Sequence, residues 1–186
     1  MIANAHALAR YASICQELDI VPIVEPEVLM DGSHNIDTCF TVTNEAQNIL
    51  FEALDKLDVN LTGIILKPNM VTSGSNCEKQ ASAEEIAELT IKCLAKNIPK
   101  EVPGIAFLSG GQSDENASNN LSHINKINSN PWKLTFSYGR ALQLEAMKKW
   151  CGDNNQNSEA QKIILKRAHF NSLAASGKYN LEMENN

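Results

Sequence analysis

Four short apolar runs, each followed by a longer segment of helical period, constrain this chain more than any other feature. The runs are IVPIV (20–24), GIIL (63–66), GIAFL (104–108) and KLTFS (133–137). They are apolar at most positions, so both faces of each run need cover, which is the pattern of parallel strands flanked by helices. The intervening segments predict helices over Thr43–Leu57, Ser82–Asn97, Asp114–Ile127 and Arg140–Trp150. In the first, Ala46, Ile49, Leu50, Ala53, Leu54 and Leu57 recur at helical spacing, and Thr43 is positioned to open it. In the second, Ser82 and Glu85 form a capping-box pattern ahead of Ile86, Leu89, Ile91 and Leu94. Two more helices are expected at Ala3–Glu17 and Ser158–Ser176, the latter ending near Gly177. A strand-then-helix rhythm of this kind predicts an α/β fold built from repeated βα units.

The 186 residues, 43% hydrophobic and 20% charged, fit one globular domain. A net charge of −6 argues against a nucleic-acid partner, whose phosphates are bound through clustered Lys and Arg. No apolar stretch approaches the roughly 20 residues needed to cross a bilayer, so no membrane role is expected. The opening segment, MIANAHALARYASICQELDI, lacks a basic-then-apolar leader pattern, and an intracellular, cytoplasmic location is expected. Five cysteines at wide, irregular spacing read as reduced thiols, with Cys77 in its SGSNCEK loop expected to be the most reactive. No CxxC, HxH or HExxH spacing occurs and His6, His34, His123 and His169 are scattered, so no metal or other cofactor is expected.

The polar residues that stand out follow the ends of the expected strands. They are Glu25-Pro26-Glu27, Lys67-Pro68-Asn69, Ser109-Gly110-Gly111-Gln112 and Ser137-Tyr138-Gly139-Arg140. Sites in parallel α/β folds form outside the carboxyl ends of strands, so four separate segments aim functional groups at one face. A lysine in a low-dielectric cleft is drawn toward the free amine, the form that attacks a carbonyl to give a Schiff base; Lys67 is the candidate. Glu25 and Glu27, two residues apart, would face the same side of an extended segment. One could shuttle protons during carbinolamine dehydration while the other holds the lysine. Ser109 and Gly110 open a turn whose amides can approach an anion, and Gly139-Arg140 offers a helix start and a guanidinium for a phosphate.

The segments IVEPEVLMDGSH, GIILKPNMV, FLSGGQSDENAS and LTFSYGRALQ, in this order, resemble class I fructose-bisphosphate aldolase. The resemblance runs from about Ala3 to about Lys178, leaving residues 179–186 as an acidic tail that reads as frayed. It implies a (β/α)8 TIM barrel, of which this chain carries about the last four βα units, a partial barrel without strands 1 to 4. By resemblance Lys67 is the Schiff-base lysine, Glu25 the general acid/base and Glu27 the neighbour that positions the lysine. Ser109, Gly110, Gly139 and Arg140 would bind a substrate phosphate. The implied activity is cleavage of fructose 1,6-bisphosphate, a sugar-phosphate substrate, in glycolysis, by a metal-free homotetramer. The other expectation is a truncated, inactive fragment serving as a binding or subunit-exchange module, because exposed strand faces invite pairing.

Overall fold

A computed structural model describes residues 1–185. Its one sheet has four parallel strands in the order β1-β2-β3-β4: β1 (Ile23–Val24), β2 (Ile65–Leu66), β3 (Gly104–Phe107) and β4 (Lys133–Phe136). Helices α2 (Ile36–Lys56), α3 (Ala83–Asn97) and α4 (Asp114–Ile127) connect successive strands. Helix α1 (Ile2–Glu17) precedes the sheet, and α5 (Arg140–Trp150) and α6 (Asn157–Ala175) follow it. Because neighbours in the sheet are neighbours in sequence, right-handed crossovers bring the connecting helices to one face.

That face holds the core. Val24, Leu66, Ile105, Phe107 and Leu134 point into a cluster shared with Leu50 and Leu54 of α2, Leu94 of α3, Leu121 of α4 and Phe170 of α6. Helix α1 joins the cluster through Ala5, Ala9 and Ala12, small side chains that allow close approach to α2. The alternate strand residues face the other way, and among them Ile23, Lys133 and Thr135 are exposed.

The expected elements are all present: Asp114–Ile127 and Arg140–Trp150 keep the expected ends, and others shift. Helix α2 starts at Ile36, seven residues before Thr43, because the Asn35 side chain accepts from the Thr38 amide at 2.9 Å and caps it there. Thr43 lies inside the helix, 1% exposed, and serves as a buried partner instead of a cap. Strand β1 is shorter than 20–24, since Pro22 has no amide to give and Val21 is exposed. The Ser82 cap forms as read: its side chain accepts from the Glu85 amide at 3.2 Å, and the Glu85 carboxylate accepts from the Ser82 amide at 2.8 Å. Gly177, at φ +66°, closes α6, with the Lys178 amide donating to Leu173 O at 2.8 Å.

The frayed tail is corrected. Tyr179 is fully buried against Phe170, and Leu181–Asn185 forms a 3-10 turn. Glu184 accepts from Arg167 Nη2 and from Tyr179 Oη, each at 2.6 Å. An acidic stretch that looks solvated in sequence docks because a buried guanidinium on α6 needs a counter-charge. Asn186 lies outside the described residues.

The thiol expectation also shifts. Cys77 is half-buried and its Sγ donates to Lys79 O at 3.3 Å, whereas Cys151 is exposed at the end of α5. Cys93 is buried, and desolvation, with Cys39 beside it, pushes its thiol up to about 12. Iodoacetamide at pH 8 is therefore expected to label Cys151 first in the folded protein and to reach Cys39 and Cys93 only after unfolding. Peptide mass spectrometry of a labelling time course checks this, and early labelling of Cys93 would contradict the packing described.

Candidate functional site

The four strand ends are stitched together by backbone hydrogen bonds. Lys67 N donates to Val24 O at 2.7 Å, Leu108 N to Pro68 O at 3.2 Å, and Ser137 N to Phe107 O at 3.0 Å. The segments that follow the strands therefore emerge side by side at one end of the sheet.

Register sets the central contact. Val24 pairs with Leu66, so Glu25 and Lys67, each one residue further on, stand opposite one another on the face away from the core. Lys67 Nζ lies 3.0 Å from Glu25 Oε1, with the lysine side chain 19% exposed and the glutamate 42%. The lysine is thus mostly withdrawn from water while its partner stays half solvated.

Glu27 is placed differently. It is exposed, and among the described residues its carboxylate makes no ion pair or hydrogen bond. With Glu25 it borders a small cleft of about 90 Å3 against Asn4 and Leu8 of α1. The lysine contact expected of Glu27 is made by Glu25. What fixes the Glu27 segment is Asn69, 5% exposed, whose Oδ1 accepts from Val28 N at 3.1 Å. Its Nδ2 donates to Thr43 Oγ1 and to Met70 O, both at 3.0 Å. One amide thereby ties the loop after β1, the loop after β2 and helix α2 together.

Ser109 and Arg140 border one cavity of about 160 Å3, with Gly111, Gln112, Asp114, Ala141 and Leu144. Gly110 and Gly111 have φ of +59° and +81°, a turn that other residues adopt only under strain. Gln112 locks that turn, its Nε2 donating to Ser109 O at 3.1 Å and its Oε1 accepting from Asn120 Nδ2 at 2.7 Å. Gly139 precedes α5 in ordinary right-handed geometry, with no side-chain cap over the helix start. Outside its chain neighbours and the helix backbone, a side chain at Gly139 would meet only Gln143 Oε1, at 4.0 Å. Arg140 itself is exposed. Asp114 sits in the same cavity, and desolvation raises its pKa, the nearby Arg167 acting against that rise.

The sequence reading pointed to the charged and glycine residues of this face but not to the amides that hold them. Asn69 and Gln112 lay inside the quoted strand-end segments, and an amide directly after a buried strand is a signal that could have found them. Among the described residues, no three His, Cys, Asp or Glu side chains gather to hold a metal.

With this geometry in place, comparison with known proteins decides the family. The sequence family of class-I fructose-bisphosphate aldolase, described as glycolytic, matches residues 1–186. The chain belongs to the class I fructose-bisphosphate aldolase family. A Xanthomonas axonopodis protein named "Probable fructose-bisphosphate aldolase class 1" is 53% identical over 178 residues, 95% of this chain and 53% of that protein. Fructose-bisphosphate aldolase 1 of Toxoplasma gondii is 51% identical over 94% of this chain and 48% of its own length. A solved structure of Plasmodium falciparum fructose-bisphosphate aldolase, in complex with TRAP and a small-molecule inhibitor, superposes with a TM-score of 0.93 at 48% identity. That match covers 95% of this chain and 51% of the solved one. The chain thus spans about half the length of the curated aldolases it matches. The parallel sheet with its helices is about four βα units of the aldolase TIM barrel.

Asn69→Leu is expected to destabilise the fold by about 1–3 kcal/mol, since it removes the partner of the half-buried Val28 amide and of the buried Thr43 hydroxyl. Urea unfolding measures this, and a change within about 0.5 kcal/mol would show that the amide is not the clamp described.

Proposed function

We propose that this chain carries the Schiff-base half of an aldolase site, acting on fructose 1,6-bisphosphate to give dihydroxyacetone phosphate and glyceraldehyde 3-phosphate. The observation that carries the reading is the Lys67–Glu25 pair, 3.0 Å apart at the carboxyl ends of neighbouring strands. At rest the pair is an ammonium and a carboxylate. Attack on a carbonyl needs the free amine, and Glu25 Oε1 is the acceptor within reach for the proton that must leave.

The Lys67 amine adds to the substrate ketone and forms a carbinolamine. Glu25 returns the proton to the departing hydroxyl, water leaves, and the iminium remains. The hydroxyl on the departing carbon gives its proton to the Glu25 carboxylate left by the previous step, the iminium takes up the electron pair of the breaking carbon–carbon bond, and the aldehyde product departs, leaving an enamine. Protonation of the enamine and addition of water then release the ketone product and restore the amine.

Ser109, Gly110, Gly139 and Arg140 are proposed to hold the phosphate of the ketone half. Their support is the shared cavity of Ser109 and Arg140, the positive-φ turn at Gly110 and the uncapped start of α5. Glu27 enters on family resemblance. A cytoplasmic homotetramer is the proposed setting, in keeping with the glycolytic family; no described helix is long and apolar enough to cross a membrane.

Borohydride reduction in the presence of dihydroxyacetone phosphate tests the imine step without requiring cleavage. A reduced adduct is expected on Lys67 by peptide mass analysis, and none in Lys67→Met. A folded sample with no adduct at Lys67, or with the adduct on another lysine, would remove the mechanism. Arg140→Ala is expected to raise the concentration of dihydroxyacetone phosphate needed for half-maximal trapping by about tenfold. Unchanged concentration dependence would exclude Arg140 from the phosphate site.

A further inference from the structure

The two segments assigned above to phosphate binding leave the sheet from different strands, and something must fix their separation. On the far side of both stands α6. Arg167 and Asn171 are four residues apart and share one face of that helix. Asn171 Oδ1 accepts from Tyr138 Oη at 2.7 Å and from Ser118 Oγ at 3.0 Å. Tyr138 lies two residues before Arg140, and its ring rests against Phe136 with centroids 4.3 Å apart. Ser118, fully buried, lies in the first turns of α4, directly after the Ser109–Ser113 loop.

Ser118 is held from two further sides. Its hydroxyl accepts from Arg167 Nη1 at 3.1 Å and lies 2.9 Å from Asp114 O. Arg167, 8% exposed, is secured in turn by Glu184. Burial opposes the Arg167 charge, but the hydrogen bond and charge of Glu184 outweigh it and raise the guanidinium pKa.

We propose that Asn171 is a positioning residue for anion binding: its amide oxygen joins Tyr138 to Ser118 and so sets the spacing between the Gly139–Arg140 turn and the Ser109–Gly110 turn. The proposal rests on the reading of those four residues as a phosphate site. Asn171 does not touch the ligand. Without its oxygen the Tyr138 hydroxyl loses its partner, and beyond the Ser137–Phe107 backbone hydrogen bond the turn bearing Arg140 is less firmly held to the loop after β3. Displacement of this kind weakens a site built from two segments far more than a one-segment site.

Inorganic phosphate is the probe, titrated against the Gly110 and Gly139 amide resonances of the whole chain. Asn171→Leu and Tyr138→Phe are each expected to raise the apparent Kd by roughly three- to tenfold, and the double variant by no more than Asn171→Leu alone. Tyr138→Phe removes one hydroxyl only, so it carries the test if Asn171→Leu fails to fold. Borohydride trapping at Lys67 under saturating dihydroxyacetone phosphate is expected to proceed at the parent rate in both variants, which a general loss of structure would not allow. Parent-like phosphate affinity in folded Tyr138→Phe would overturn the proposal while leaving the phosphate site standing. Failure of the parent chain to bind phosphate at all, with trapping at Lys67 retained, would overturn the phosphate-site reading and the positioning role with it.

Discussion

Val24 and Leu66 are both completely buried, and they pair across the first two strands. Burying side chains of this kind is worth about 1.5–3 kcal/mol each. The Lys67–Glu25 pair, partly open to water, is worth at most about 1 kcal/mol. The apolar residues therefore decide the register, and the ion pair follows from it. A slip of one residue would turn Lys67 toward the helices and Leu66 toward solvent, a cost no salt bridge at this exposure could offset. The side chain of Lys67 is held in place by the core beneath Leu66.

Loops that leave a buried strand carry polar groups that need partners, and here amide side chains provide them. Asn69 spans two loops and a helix, Gln112 closes the glycine turn, and Asn171 braces two loops from behind. Amides suit this work because one group both donates and accepts without adding charge near the cavity. A carboxylate would repel an incoming anion. Asp114, the acid that does border the cavity, shows the effect of the surroundings, since burial already disfavours its charged form.

What the sequence made legible was whatever depended on local pattern. The apolar runs gave the strands, Ser82 and Glu85 gave a cap, and Gly177 gave a helix end. The polar segments after the strand ends put Glu25, Glu27 and Lys67 among the groups expected at one face. Illegible were contacts set by distance along the chain. Thr43 looked like a cap because its partner, Asn69, lies 26 residues away. The terminal acidic stretch looked solvated because Arg167, on the preceding helix, carries no local mark of being buried. Glu25 and Glu27 could not be told apart, since both follow the strand and only the paired register selects the first.

The unequal exposure of the central pair bears on how it works. Lys67 is the more buried member, with Glu25 the counter-charge beside it, while Glu25 keeps contact with water. Moving one proton from nitrogen to oxygen converts two charges into none, and such a change is less costly in a half-dry cleft than in bulk solvent. An incoming phosphate near Arg140 would supply negative charge to the same face, and Arg140, exposed and free of ion pairs among the described residues, is placed to meet it. The lysine can then give up its proton without leaving an unbalanced field, because the cation that answers the phosphate sits on a different strand end. In the proposed reading, separation of these two duties, one cation for the anion and one amine for the carbonyl, follows from the parallel order of the strands.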